Sequence, residues 1–269
     1  MTNLYVKEND VLRHPASLVK MMTALVMRDW VTDTLLDSVV TVVASDMHPP
    51  TTANLQTGDQ LSWRDLLYGL MVPSGNDAAL VVARVVGGMI LASEGSQGDP
   101  TARFVIEMGR KAAQMGLAGA VFETPHGASD TLSRLTPRHV GYLLQECGKD
   151  SLLRSVMGSL SRLITIYGPN ARTYTVVHTI NPDGATKIPE FVYGKTGTNV
   201  GAGAGYCVAM VCNAPNGIEL RIVVMGSSST EGRFSDSRTL IDYGAFSVLR
   251  DVSETIMATP SADMQAALA

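Results

Sequence analysis

The order of elements along the chain predicts an α+β fold, with an antiparallel sheet built from both chain ends and a helical lobe inserted between them. Three observations carry this. A strand-like stretch and a helix open the chain, a block of apolar helical patterns follows, and consecutive β-branched runs separated by turn residues precede a last helix. A length of 269 residues suits one large domain or two lobes sharing a cleft. Residues 1–250 are expected to form one unit with the helical lobe at about 50–170, and residues 251–269 a tail without periodicity.

The elements follow in order. LYVKENDVL alternates weakly, as a short strand does. HPASLVKMMTALVMRDWV predicts a helix, because Pro15 suits a first turn and Leu18, Met21, Met22, Leu25 and Val26 share one stripe. DSVVTVVAS is β-branched and strand-like, and HPPTTANLQTGDQ is a loop. SWRDLLYGLMV predicts a helix capped by Ser62. NDAALVVARVVGGMIL predicts a helix buried nearly all round, and ARFVIEMGRKAAQMGL an amphipathic one ended near Gly116. TPRHVGYLLQECGKD and DSLLRSVMGSL add two more helices. After about residue 172 the pattern changes. RTYTVVHTI, FVYGKTGTN, GYCVAMVCNAP and IELRIVVMGSS predict strands, with turns at NPDG and APNG, and SRTLIDYGAFSVLRD predicts the closing helix.

Composition excludes several classes. Hydrophobic residues make up 45% and charged residues 17%, as in globular proteins and unlike disordered ones. The net charge of −4 and the lack of a basic block argue against nucleic acid as a partner. Cys147, Cys207 and Cys212 have no metal-ligand spacing and are too few for a disulfide framework. On a strand, Cys207 and Cys212 fall on opposite faces and should not pair. No cofactor or metal is implied. MTNLYVKEND lacks an apolar signal core, and ALVVARVVGGMILA, with an arginine and two glycines, falls short of a membrane span. The tail has few basic residues, so no membrane anchor is visible.

Three short motifs carry chemistry. In SLVK, Ser17 and Lys20 lie three residues apart on one helix face, so the amine can reach the hydroxyl. Serine is a poor nucleophile until a base takes its proton, and a lysine with a lowered pKa can be that base. Taken alone, Ser-x-x-Lys is expected about once by chance in a chain of this length. SGN, Ser74 to Asn76, sits between two apolar helices, where Ser74, Asn76 or Asp77 could equally be a helix cap. KTG, Lys195 to Gly197, sits on a predicted strand and is followed by Thr198; alone it reads as an edge strand with a close backbone approach at Gly197. The three motifs occur in order on a helix start, an inter-helix loop and a strand, the arrangement that serine acyl-transfer enzymes of the penicillin-recognising type require.

On these residues the chain resembles the low-molecular-mass penicillin-binding proteins that are serine D-alanyl-D-alanine carboxypeptidases, with a β-lactamase/transpeptidase-like fold. The resemblance runs from Leu4 to about Leu249 and includes LQTGDQLSWRDLLYGLMVPSGNDAALVVA, FVIEMGRKAAQMGLAGAVFETPHGASD and VMGSSSTEGRFSDSRTLIDYGAF. It implies that Ser17 attacks the carbonyl between two terminal D-alanines, with Lys20 as base and Ser74 relaying a proton to the leaving amine. It implies that Asn76 binds the substrate amide and that Lys195 supplies positive charge that keeps Lys20 neutral. Thr196, Thr198 and Arg233 would hold the terminal carboxylate, Gly197 would allow close substrate approach, and the backbone N–H groups of Ser17 and Thr198 would form the oxyanion hole. His126 matches a family histidine outside the reacting groups and reads as a structural loop residue. The implied partners are a peptidoglycan stem peptide ending in D-Ala-D-Ala and β-lactam inhibitors, and the implied location is periplasmic or extracellular.

The resemblance has gaps. The family's first strand and N-terminal helix have no counterpart before Leu4, which would leave an unpaired sheet edge and keeps both monomer and homodimer open. The loop ILASEGSQGDPTAR is longer than the family pattern needs. Three rival readings stand beside the carboxypeptidase: a DD-endopeptidase, a class A-like β-lactamase, and a catalytically silent peptidoglycan-binding module. Class A β-lactamases generally carry aspartate where this chain has Gly75, and Glu123 is not in a context resembling their Ω-loop. A binding module would have no need for the Ser17–Lys20 pair.

Overall fold

The computed structural model describes residues 3–128, 132–180, 188–214 and 217–252. The predicted NPDG turn, the middle of the APNG turn and the tail from 253 lie outside the described residues.

The nucleophile segment begins as a 3-10 turn, Ala16–Val19, and continues as α1, Lys20–Trp30. The expected helix is therefore present, but its first turn is tighter than an α-helix. Two short strands follow, β1 at Val39–Thr41 and β2 at Gln60–Ser62, paired antiparallel. Next come α2 at Trp63–Met71 and α3 at Asn76–Glu94. Ser62 caps α2 as expected, its Oγ accepting from Asp65 N at 3.0 Å. The helical block is completed by α4 at Pro100–Gln114, α5 at Pro137–Lys149 and α6 at Ser151–Met157. α3 has 19 residues and, despite Arg84 and its two glycines, is long and apolar enough to cross a membrane by composition. It is instead the central helix of the lobe, packed against α1, α2 and α4.

A hairpin that the sequence only half disclosed follows: β3 at Ser161–Ile166 pairs with β4 at Arg172–Val177. Arg172 ties this hairpin to the loop before β2. It donates to both oxygens of the buried Asp59, at 2.8 and 2.7 Å, and to Asn54 O at 2.8 Å. Such a bidentate pair fixes geometry as well as charge.

The main sheet has the order β5-β6-β7, all antiparallel, from Phe191–Asn199, Gly205–Asn213 and Glu219–Ser227. α7, Thr230–Val252, starts seven residues before the sequence pattern suggested. Side chains on β6 alternate between two cores. Cys207, Ala209 and Val211 join the core of the helical lobe. Val208, Met210 and Cys212 join Leu220, Ile222, Phe234 and Ile241 under α7. The sheet is thus covered on both faces, and Cys207 and Cys212 are free thiols on opposite sides, as their odd spacing requires.

The expected strand at residues 4–12 does not form. The chain turns at Glu8, where φ is 50°, and Val11 N bonds back to Glu8 O. Ordered pairing begins at Arg13, which makes a two-bond bridge with Leu135. The N-terminal stretch nevertheless lies at the sheet. Leu4 packs against the core under α7, and Tyr5 makes an edge contact with Tyr243. β7 is an edge of the described sheet, and a groove of 1410 Å³ separates it from residues 3–9.

Two adjacent glycines of α3 test this packing. A Cβ on Gly87 would lie 1.8 Å from Pro100 O at the start of α4, whereas Gly88 faces open space. Gly87→Ala should destabilise the protein by about 3 kcal/mol through overpacking. Gly88→Ala should stabilise it by up to about 1 kcal/mol, because glycine is a poor residue inside a helix. Urea denaturation of both variants checks this contrast, and equal effects would contradict it.

Candidate active site

The cleft forms where α1, the loop between α2 and α3, and β5 meet. At the start of α1 the 3-10 geometry has three residues per turn, which stacks Ser17 directly over Lys20. Lys20 Nζ lies 2.9 Å from Ser17 Oγ. Lys20 is fully buried and also reaches Asn76 Oδ1 at 2.8 Å and the backbone carbonyl of His126 at 2.9 Å. Its three contacts therefore come from three distant parts of the chain.

The Ser17 turn is held by close backbone packing. Gly127 has φ of 72°, and a Cβ there would lie 2.0 Å from Ala16 O. From the other side comes Gly197 of β5, where a Cβ would lie 2.9 Å from Pro15 O and 3.3 Å from Leu18 Cγ. The expected reason for Gly197 is close approach of substrate; the structure shows a further one, the packing of β5 onto the nucleophile turn.

Ser74 sits between α2 and α3 with φ of 69°, a left-handed conformation that costs a serine energy. The loop is pinned by Gly75 N to Gly69 O and by Asn76 N to Thr51 O. Asp77, one of three cap candidates, has a different task. Its carboxylate accepts from Ala53 N and Leu55 N of the preceding loop and from Ala78 N. Gly75 is tightly enclosed by these groups, since a Cβ would lie 2.6 Å from Asp77 Oδ1 and 2.8 Å from Ala53 N.

On β5, Lys195 is fully buried and donates to Thr196 O at 2.9 Å. Thr198 is exposed at the cleft end of the strand, and its Oγ accepts from an Arg233 terminal nitrogen at 2.9 Å. Arg233 comes from the first turn of α7 and is only 6% exposed, so it is no solvated surface charge. It also approaches Gly197 O and stacks near Phe234.

Burial sets the electrostatics. Desolvation lowers the pKa of Lys20 to about 7, against the opposing attraction of the Asp77 carboxylate. Lys195 falls well below the ordinary lysine value, first through desolvation and then through repulsion by Lys20 and Arg233. Both lysines therefore shed a proton far more readily than lysines in water, Lys20 through burial and Lys195 through burial and the cations beside it. Asp77 is itself raised by desolvation, against its backbone donors.

Several polar atoms here are left over. Ser74 Oγ, Asn76 Nδ2 and Arg233 Nε are buried and have no hydrogen-bond partner among the described residues. Buried polar groups are nearly always paired, so orphans gathered around one cleft suit a polar ligand. The arrangement offers a hydroxyl beside a base, unpaired donors and acceptors around them, and a cationic end, which suits acyl transfer from a peptide bearing a carboxylate. Among the described residues, no three His, Cys, Asp or Glu side chains are grouped to hold a metal.

The nine side chains and glycines singled out from the sequence thus converge on this region. Sequence reasoning missed the carbonyl of His126, which orients Lys20. The His126 ring is structural as expected, accepting from Ala128 N and stacked on His48 at 4.4 Å. A backbone contact of this kind leaves no trace in residue type. Glu123 accepts from Leu132 N across its own loop.

The profile of the D-alanyl-D-alanine carboxypeptidase family, peptidase S11, matches residues 2–229. The D-alanyl-D-alanine carboxypeptidase of Streptomyces sp. strain K15 is 30% identical over 90% of this chain and 82% of its own length. The D-alanyl-D-alanine carboxypeptidase DacD of Salmonella typhimurium strain LT2 is 29% identical, over 86% of this chain but 56% of its own length. The crystal structure of the Streptomyces K15 DD-transpeptidase superposes with a TM-score of 0.79 at 27% identity, covering 90% of this chain and 92% of that one. A D-alanyl-D-alanine carboxypeptidase structure from Mycobacterium tuberculosis H37Rv superposes with a TM-score of 0.71 at 25% identity, covering 88% and 83%. With most of its length matched and Ser17 beside the buried Lys20 at its cleft, the chain belongs to the D-alanyl-D-alanine carboxypeptidase family of serine peptidases.

Proposed function

We propose that residues 1–250 form a catalytic domain that acts as a serine DD-carboxypeptidase, which removes the terminal D-alanine of peptidoglycan stem peptides through an acyl-enzyme at Ser17. The observation that carries this reading is the set of contacts around Lys20. A neutral amine has two N–H donors and one lone pair. Lys20 Nζ meets two pure acceptors, Asn76 Oδ1 and His126 O, and one hydroxyl, Ser17 Oγ. Neutral Lys20 can donate to both acceptors and receive the Ser17 proton along the 2.9 Å contact.

The steps follow. Ser17 Oγ attacks the carbonyl carbon of the penultimate D-alanine while its proton passes to Lys20. The backbone N–H groups of Ser17 and Thr198 receive the oxyanion. The C–N bond then breaks, and Ser74 passes a proton to the departing amine of D-alanine while the proton held by Lys20 replaces it, leaving Lys20 neutral again. Asn76 Nδ2 donates to a substrate amide carbonyl. Thr198 and Arg233 hold the terminal carboxylate, Thr196 supports the same end from behind, and the buried Lys195 amine borders it as a hydrogen-bond donor. Water hydrolyses the ester and regenerates Ser17. The reaction takes place at the cell wall, on its periplasmic or extracellular side.

The rivals fare less well. A class A-like β-lactamase aspartate at position 75 would collide with Asp77 and Ala53. A silent binding module leaves the lowered Lys20 pKa without purpose. One relative's title names a transpeptidase, so the acyl acceptor is part of the test.

Incubation with a fluorescent penicillin should give a stable adduct on Ser17. Ser17→Ala should abolish it and cut D-alanine release from a D-Ala-D-Ala peptide by on the order of a thousandfold or more. No adduct in folded protein would sink the proposal. Rapid turnover to penicilloate would favour a β-lactamase, and product dominated by transfer to an added amine would make the chain a transpeptidase.

The same adduct reports on Lys20. The base works only when neutral, and its neutral fraction grows as pH rises through its pKa of about 7. The rate of penicillin acylation should therefore climb with pH through about 7 and level off above it. Asp77 pulls that pKa upward, so Asp77→Asn should shift the limb to lower pH. A limb that stays in place, or moves up, would refute this electrostatic assignment.

A further inference from the structure

The carboxylate end of the cleft contains a hydroxyl that no motif marks. After β4 the chain runs through His178, Thr179 and Ile180, of which His178 and Ile180 are buried and Thr179 is half-buried. This short stretch is fixed from three directions. His178 N donates to Leu160 O, Thr179 N to Val72 O, and Ile180 N to His178 Nδ1. Val72 lies two residues before Ser74, so Thr179 is tied to the loop that carries Ser74. Its side chain is tied to the opposite wall, because Thr196 Oγ1 donates to Thr179 Oγ1 at 2.7 Å.

A hydroxyl has one proton and two lone pairs. Thr196 uses its proton on Thr179, and it is itself only 5% exposed. A carboxylate is purely an acceptor and needs donors. In this arrangement the free proton of the pair belongs to Thr179, the more exposed member. We propose that Thr179 is a further carboxylate-binding residue. Thr196 hands its hydrogen bond to Thr179, and Thr179 donates its own proton to the terminal carboxylate of the peptide, opposite Thr198 and Arg233. This rests on the carboxypeptidase reading of the same cleft. It makes the recognition of a free C-terminus depend on a residue outside the three motifs.

The test compares two peptides under wild type and Thr179 variants, one ending in D-Ala-D-Ala with a free carboxylate and one with that carboxylate amidated. Thr179→Val keeps the shape and removes the hydroxyl. It should lower kcat/KM for the free-acid peptide tenfold or more, mostly through KM, because a hydrogen bond to a charged group is lost. It should change the amidated peptide less than twofold and leave the pH limb near 7 in place. Thr179→Ser should restore the free-acid peptide to within about threefold of wild type, while Thr179→Ala, measured if the valine variant melts early, should behave like valine. Equal losses on both peptides, no loss on either, or failure of serine to rescue would each overturn the proposal. If wild type forms no penicillin adduct on Ser17, the carboxypeptidase reading fails and this assignment with it. If wild type is acylated normally and Thr179→Val behaves as wild type does, only the Thr179 assignment fails.

Discussion

Lys20 has no exposed surface, and its amine meets one atom from its own turn, one from the start of α3 and one from the loop after α4. Burying a full ammonium in such a place is unfavourable. The lobe lowers that cost by letting the group lose its proton, and it gives the neutral amine a complete set of partners. Other features of the cleft follow from this requirement. Gly127 brings the His126 carbonyl within reach by packing on the Ser17 turn. Asp77 clamps residues 53–55 and so fixes the loop that presents Asn76. Gly197 lets β5 close the third side.

The helical lobe and the sheet serve the cleft in different ways. The lobe is apolar and supplies dryness, with α1 and α3 buried along most of their length. The sheet supplies charge and hydroxyls at fixed spacing, since alternate residues of β5 face the two sides. The two are joined by a shared core, in which Tyr193, Cys207, Ala209 and Val211 of the sheet pack with the helices, and at the cleft by Thr179, which bonds to Val72 and to Thr196.

Much of this was legible in the sequence, for identifiable reasons. Ser17 and Lys20 were legible because a three-residue spacing puts two side chains on one face in an α-helix and, more strictly, in the 3-10 turn that forms. The strands β5, β6 and β7 were legible because β-branched runs were bounded by glycine and turn residues. The N-terminal stretch misled, because LYVKENDVL alternates weakly while Glu8 adopts a left-handed turn that alternation cannot reveal. β3 escaped notice because it directly follows a helix with only Gly158 and two further residues between. The packing of Gly197 on Pro15 was not legible, since that neighbour is distant in sequence and close in space. His126 and Thr179 act through a carbonyl and a tertiary contact, which residue type does not encode.

The cleft also gathers unsatisfied polar groups. A buried polar group without a partner costs about 1–3 kcal/mol, and Ser74 Oγ, Asn76 Nδ2 and Arg233 Nε are three such groups close to the reacting pair. Ser74 adds the cost of a left-handed backbone. A stability-optimised sequence would remove these features, so their presence together calls for a compensating gain. In the proposed reaction, a peptide with an amide carbonyl and a carboxylate would supply the missing acceptors at Asn76 and Arg233. The energy withheld during folding would then be recovered on binding, close to the bond that breaks.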